Sequence, residues 1–173
     1  MKLGIKLAIC AMVAVVAASN YLVEIPINEW LTWGAFTYPF TFLVTELTNY
    51  SYGPRWAKRV VYVGFGLAVV LSLIFMNAQI AVASGTAFLV GQLLDISVFT
   101  RLRQKSWWMA PLSASIAGSL IDTAIFFTIA FWGQGMLIFT LGAGDFLIKL
   151  SMDIALLLPF RMLLWQKPLA HLS

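Results

Sequence analysis

Gly91-Gln92-Leu93-Leu94-Asp95-Ile96-Ser97-Val98-Phe99 is followed, after a basic loop, by a near copy, Gly118-Ser119-Leu120-Ile121-Asp122-Thr123-Ala124-Ile125-Phe126. Gly, Leu, Asp and Phe coincide, and Leu94/Ile121 and Val98/Ile125 are close substitutes. In each copy a carboxylate interrupts an otherwise apolar helix. A charge at the centre of a bilayer costs about 2.5 to 3.5 kcal/mol on insertion scales, so it faces a bundle interior, a partner or a ligand rather than lipid. Reading both stretches as membrane helices decides the fold and makes Asp95 and Asp122 the first candidate site.

The composition agrees. Of 173 residues, 61% are hydrophobic and only 10% charged, and the mean hydropathy is +0.90, far from the range of soluble domains. At about 20 residues per span there is room for roughly six helices and no soluble domain. The expected class is an all-α polytopic membrane protein, one domain over 1–173, with spans at about 6–23, 34–52, 60–76, 80–99, 110–132 and 136–160. Cys10 has no intrachain disulfide partner and His171 lies near the tail, so no His/Cys metal site is spelled, and neither metal nor cofactor is implied. The net charge of +4 hints at nucleic acid until the basic residues are located, when it marks topology instead.

The N-terminus, the 53–59 loop, the 100–108 loop and the C-terminus together hold ten Lys and Arg; the other three loops hold none. The positive-inside rule therefore places both termini in the cytoplasm with six spans. All seven Trp residues (30, 33, 56, 107, 108, 132, 165) fall at expected span ends, as an aromatic belt requires. The first segment has a signal-peptide alternative, because Val16-Ala17-Ala18 is of cleavage type. Against it, the apolar run continues through Asn20 and Tyr21 to Val23, which is long enough to span.

Helices four and five would run in opposite directions, so the repeated Gly-x-Leu-x-Asp-x-x-x-Phe element has inverted topology, a recurring plan in secondary transporters with the ligand near the repeat interface. Coincidence is the alternative in helices this apolar. Ala83, Ala87, Gly91 and Asp95, like Ala114, Gly118 and Asp122, recur every fourth residue, and such small-residue faces let helices pack closely.

Glu46, Asp95, Asp122, Asp145, Lys149 and Asp153 are the ionisable residues inside expected spans. A 1.5 Å rise per residue puts Asp122, Asp145 and Lys149 near mid-membrane and the other three closer to the cytoplasmic face. Asp145, Lys149 and Asp153 share a helix face and read either as a self-neutralising structural set or as a gate, with Asp153 reaching the interface. Glu46 has Thr45, Thr48 and Asn49 beside it to satisfy a structural carboxylate. Asp95 has Arg101 and Arg103 as candidate partners. Asp122 is deep, with only Ser115, Ser119 and Thr123 near it on its own helix, which suits ligand capture or proton carriage. Trp33, Phe36, Tyr38 and Phe40 near the outer mouth read as belt and packing residues, or as a stack for a flat ligand. Gly142-Ala143-Gly144-Asp145 spells the Gly-x-Gly-Asp element of intramembrane aspartyl proteases, which need two carboxylates around a water. Its usual Tyr-Asp partner context is absent and Lys149 would neutralise Asp145, so no enzyme is expected.

The chain resembles the queuosine precursor transporters of the vitamin uptake transporter family, bacterial inner-membrane proteins with six spans. The resemblance covers most of the chain. It rests on Ser19-Asn20-Tyr21-Leu22-Val23, Thr32-Trp33-Gly34-Ala35-Phe36, Tyr38-Pro39-Phe40 and Thr45-Glu46-Leu47-Thr48, then on Gly91-Gln92-Leu93-Leu94-Asp95, Val98-Phe99 and Arg101-Leu102-Arg103. Trp107-Trp108, Ala110-Pro111, Gly118, Asp122-Thr123, Phe126-Phe127, Ile129-Ala130-Phe131, Asp145 and Lys149 continue it in order. It implies uptake of 7-cyano-7-deazaguanine and 7-aminomethyl-7-deazaguanine for queuosine in tRNA. The implied partners are the bilayer and the small molecule, with no nucleic acid and with self-association left open.

The expected substrate-binding set is Asn20, Trp33, Phe36, Glu46, Gln92, Asp95, Asp122, Phe126, Asp145 and Lys149. A guanine-like base offers adjacent N–H donors that one carboxylate accepts together, while its O6 needs a donor such as Gln92, Asn20 or Lys149. Departures from the family pattern are short connections between spans three and four and between spans five and six, a clipped tail, and Asp153, which carries no family role. The rival reading is a non-transporting or substrate-capture subunit serving a separate energising partner, since the chain has no Walker motif.

Overall fold

A computed structural model describes residues 3–22, 25–28, 31–75, 78–132 and 136–165. The expectations placed on Lys2, Trp30, Asn77, the 133–135 turn, Lys167 and His171 lie outside the described residues. The elements in order are α1 (Leu3–Leu22), a short antiparallel ribbon of β1 (Pro26–Asn28) and β2 (Leu31–Thr32), α2 (Gly34–Thr37), α3 (Phe40–Tyr52), α4 (Pro54–Phe75), α5 (Ala78–Leu102), α6 (Met109–Ala130) and α7 (Met136–Trp165). Among the described residues the regular structure is helical apart from that ribbon, which pairs Pro26 with Thr32 and Asn28 with Leu31.

Among the described residues, four helices are long and apolar enough to cross a membrane: Leu3–Leu22, Pro54–Ile74, Ala78–Leu102 and Met109–Ala130. α7, with 30 residues, is about 45 Å long, which exceeds the bilayer core, but Asp145, Lys149 and Asp153 interrupt its middle. Where one span is expected over 34–52, the chain forms two helices. Pro39 has no amide to continue the ladder, so α2 ends with the Tyr38 amide on the Gly34 carbonyl at 2.9 Å, and α3 restarts with the Phe42 amide on the Pro39 carbonyl at 3.1 Å. The Thr41 hydroxyl caps the Tyr38 carbonyl at 2.8 Å. This break turns the Tyr38 ring and hydroxyl into the bundle.

The 53–59 loop of the sequence reading is a single residue. Gly53 has φ +85°, a backbone that suits glycine at a helix C-terminus, and Pro54 opens α4 where its missing amide costs nothing. Arg55, Lys58 and Arg59 therefore lie on the first turns of α4 and are exposed, with the Arg59 guanidinium 4.5 Å above the Trp56 ring.

Successive long helices alternate in direction, which gathers the ends of α1, α4 and α6 and the starts of α2, α5 and α7 at the ribbon face. The basic residues collect at the other face. Gln79, at the start of α5, donates to the Ile129 and Ala130 carbonyls at 2.9 and 3.2 Å, capping α6. α5 and α6 pack most extensively of all pairs, and the reason lies in their glycines. A Cβ on Gly91 would lie 3.0 Å from the Asp122 Cβ and 3.1 Å from the Gly118 carbonyl oxygen. One on Gly118 would lie 3.1 Å from the Gly91 carbonyl and 2.6 Å from Phe42. The two copies of the repeat thus cross at their glycines, and the small residues around them (Ala83, Ala87, Ala114) are buried.

Two apolar cores flank the crossing. Met12, Val16, Val60, Val61, Ala68 and Phe88 join α1, α4 and α5; Leu43, Phe99, Ala114, Leu156 and Phe160 join α3, α5, α6 and α7. Large apolar residues such as Leu73, Leu120, Leu147 and Leu158 point outward, as lipid-facing positions do. Between the cores runs a column of polar side chains.

Candidate substrate site

The column has three levels. The first, nearest the ribbon face, is a cavity of about 140 Å³ lined by Ser19, Asn20, Gly34, Ala35, Tyr38, Ile80, Ser84, Ala87, Asp122, Phe126, Asp145 and Lys149. An apolar cavity of about 150 Å³ takes up one benzene ring, so this one suits a small flat molecule that extends toward its open side. At its base the Asp122 carboxylate is held on both oxygens. The Tyr38 hydroxyl donates to Oδ1 at 2.6 Å and the Lys149 ammonium to Oδ2 at 2.8 Å. Lys149 also pairs with Asp145 at 2.6 Å and donates to Thr123 Oγ1 at 3.2 Å, while the Thr123 hydroxyl donates to Asp145 Oδ2 at 2.8 Å. The ammonium sits 5.0 Å from the centre of the Tyr38 ring, a cation–π arrangement.

One cation between two carboxylates leaves this level with a formal net negative charge. Four chain segments meet there: the α2–α3 break brings Tyr38, α6 brings Asp122 and Thr123, α7 brings Asp145 and Lys149, and the end of α1 brings Ser19 and Asn20. Asn20 is committed to its neighbours, donating to the Val16 carbonyl at 3.0 Å and accepting from Ser72 at 3.3 Å.

The second level is a floor. Gln92 Nε2 donates to Thr41 Oγ1 at 2.7 Å, and Thr45 donates to Gln92 Oε1 at 2.6 Å; Thr41, Thr45 and Gln92 have no exposure. The third level, toward the basic face, holds Glu46, Asp95 and Asp153, all buried. Ser115 Oγ lies 2.6 Å from Glu46 Oε1, and Ser119 donates to Asp153 Oδ2 at 3.0 Å.

Of the ten residues expected to bind substrate, Asn20, Asp122, Phe126, Asp145 and Lys149 line one cavity. Gln92 forms the floor, and Glu46 and Asp95 lie beneath it. Trp33 and Phe36 pair with each other, centroids 6.1 Å apart, beside the lining residues Gly34 and Ala35. Asp95 makes no pair with Arg101 or Arg103: it is fully buried, whereas Arg101 at the helix end is exposed. Glu46 uses none of Thr45, Thr48 and Asn49, which bond to Gln92, to the Val44 carbonyl and to α5 through Ile96 and Thr100. Asp153, expected near the interface, is 3% exposed. Tyr38 is the residue sequence reasoning undervalued. Its ring read as part of the outer aromatic cluster, and the proline after it was the available signal that it turns inward. The geometry speaks against the protease reading, because the Lys149 ammonium lies between Asp122 and Asp145, where that chemistry needs the two carboxyl groups to share a proton.

Apolar helices around a charged cavity that opens to one side are a plan that membrane transport proteins use, and comparisons with known proteins point to that class. The family described as "Putative vitamin uptake transporter" matches residues 32–80 and 73–164, and the chain belongs to that family. It is 36% identical to a "Probable queuosine precursor transporter" of Haemophilus influenzae over 84% of this chain and 79% of that protein. It is 39% identical to the "Queuosine precursor transporter" of Escherichia coli over 68% of this chain and 64% of that one. With a "Probable queuosine precursor transporter" of Bacillus subtilis it shares 25% over 59% of this chain and 57% of the relative. No solved structure matches.

Proposed function

We propose that this protein is a multi-pass transporter of the bacterial inner membrane that imports the queuosine precursors 7-cyano-7-deazaguanine and 7-aminomethyl-7-deazaguanine. In this reading the chain crosses six times with both termini in the cytoplasm, α2 with α3 forming the second span and α7 the sixth. The relatives' names support the substrate class, and the distribution of Lys and Arg supports the orientation. The observation that carries the proposal is the Asp122 carboxylate, held from two sides at the base of a cavity sized for a flat ring.

A carboxylate has about four lone-pair sites, and Tyr38 and Lys149 occupy two. The remaining two accept the adjacent N1–H and 2-amino donors of a guanine-like base side by side, the arrangement that makes planar recognition both strong and specific. Lys149, already beside Asp122, then faces the ring's O6. Phe126 lies on the wall, and Asp145 holds the ammonium in place. Ligand would enter from the ribbon face, which this orientation makes the outer one, and leave when the Thr41–Gln92–Thr45 floor parts, so that the site opens alternately to each side.

The test is queuosine in tRNA from a bacterium that neither makes the precursor nor carries its own transporter, supplied with trace precursor. Expression of this chain is expected to restore the modified base, and Asp122→Asn to abolish restoration at an unchanged membrane level. No restoration by the wild-type chain, when it is in the membrane, would overturn the proposal and favour the subunit reading.

A further inference from the structure

The third level of the polar column has no part in ligand capture as described above, yet it is built from the costliest groups to bury. Glu46 from α3, Asp95 from α5 and Asp153 from α7 converge there, 3%, 0% and 3% exposed, and close enough for each to act on the others, with Glu46 and Asp95 at hydrogen-bonding range. Neither oxygen of Asp95 has a donor, nor does Asp153 Oδ1. Buried polar atoms are otherwise nearly always bonded, and an uncompensated carboxylate in an apolar interior is far costlier than a bonded one.

Lys149 acts on the Asp153 carboxylate from a distance but makes none of its bonds to the cluster. Lys149, one turn from Asp153, is turned to Asp122 and Asp145. α6 contributes hydroxyls only, Ser115 and Ser119, with Asp122 a turn above. On α4, which packs behind α5, Arg55, Lys58, Arg59 and Tyr62 are all exposed, as is Arg101 on α5. Ser115 Oγ lies 2.6 Å from Glu46 Oε1 and 2.9 Å from the Pro111 carbonyl oxygen, and has one hydrogen for the two acceptors. Two carboxyl groups in contact, both short of donors, are completed by one hydrogen between them. A metal ion is the poorer occupant, because no group of acidic, His or Cys side chains among the described residues has metal-binding geometry.

We infer that Glu46, Asp95 and Asp153 form a proton-binding site, separate from the substrate cavity, and that the proton held there is the coupling ion for import. It rests on the transport reading above. The cluster takes a proton brought in with the substrate when the Thr41–Gln92–Thr45 floor parts, with Glu46 and Asp95 becoming a singly protonated pair, and loses it to the cytoplasm once the protein is open inward; the proton crosses with the substrate and no other bond is made or broken. The two sites are mechanically joined, since α6 carries Ser115 and Ser119 below and Asp122 and Thr123 above, and α7 carries Asp153 below and Asp145 and Lys149 above.

Two experiments on the full chain in proteoliposomes decide the matter. Dicyclohexylcarbodiimide adds to a carboxylic acid only in its protonated form, so mass spectrometry is expected to find the adduct on Glu46 or Asp95, decreasing as pH rises and insensitive to sodium. This arm needs no substrate. In the second, an inside-alkaline gradient of about one pH unit is expected to drive up to about tenfold accumulation of 7-cyano-7-deazaguanine for one proton carried. Asp95→Asn, and independently Glu46→Gln, are expected to lose that accumulation while still exchanging substrate across the membrane without a gradient. Absence of adduct at every pH overturns the proton site, protection by sodium replaces the proton with a metal ion, and accumulation indifferent to the gradient overturns the coupling. Adduct formation with no substrate exchange by the wild-type protein overturns the transport reading and leaves the proton site standing.

Discussion

Asp122 and Lys149 work as a site because a third residue holds the carboxylate still. A bond between a neutral donor and a charged acceptor contributes about 1.5 to 3 kcal/mol, so Tyr38→Phe is expected to raise the precursor concentration for half-maximal uptake about tenfold or more, with maximal rate and membrane level little changed. An uptake curve that overlays wild type would take Tyr38 out of the site. How much of this site was legible in the sequence depended on what each residue type can do in lipid. Asp122, Asp145 and Lys149 announced themselves, since a charge within an apolar run needs a partner. Tyr38 did not, because an aromatic near a span end is also what an interfacial belt uses. Sequence spacing set Asp122 deeper than Asp95 but not what each would meet: the two occupy the same place in the repeat, and only the packing of the neighbouring helices gives one a tyrosine and a lysine and the other an acid.

Among the elements, the α5–α6 crossing sets the geometry of everything else. Adding bulk to a packed interface costs about 1 to 3 kcal/mol, and at Gly91 the nearest atoms are the Asp122 Cβ and the Gly118 carbonyl, so Gly91→Leu displaces the site together with the helix. It is expected to lower the thermal midpoint in detergent and to abolish uptake. Gly66→Leu, on α4 where an added Cβ meets nothing within 4 Å, should match wild type in both; equal behaviour of the two variants would deny the crossing its role. The helical class and the small-residue faces could be read in advance, because apolar length and four-residue spacing are local properties. The break of α2 from α3 and the one-residue turn at Gly53 were less visible. Proline is common in membrane helices that continue unbroken, and here the helix does continue through Pro159, so the outcome at Pro39 was decided by tertiary packing around Tyr38.

At the scale of the whole molecule, the two faces differ in charge, and the proposed orientation rests on that difference. With Cys10 replaced by serine, an impermeant maleimide is expected to label Ile27→Cys on the ribbon in intact cells, and Ser106→Cys in the basic loop only after permeabilisation; the reverse pattern would invert the proposed topology. Between these faces, Thr41, Gln92 and Thr45 bond to one another rather than to solvent. A continuous thread of water from one side to the other would let small ions run down the membrane potential, a leak far larger than any traffic in a scarce nutrient. Three side chains that satisfy each other offer such a thread nothing to attach to, so the protein can hold an open cup toward one side while remaining electrically silent.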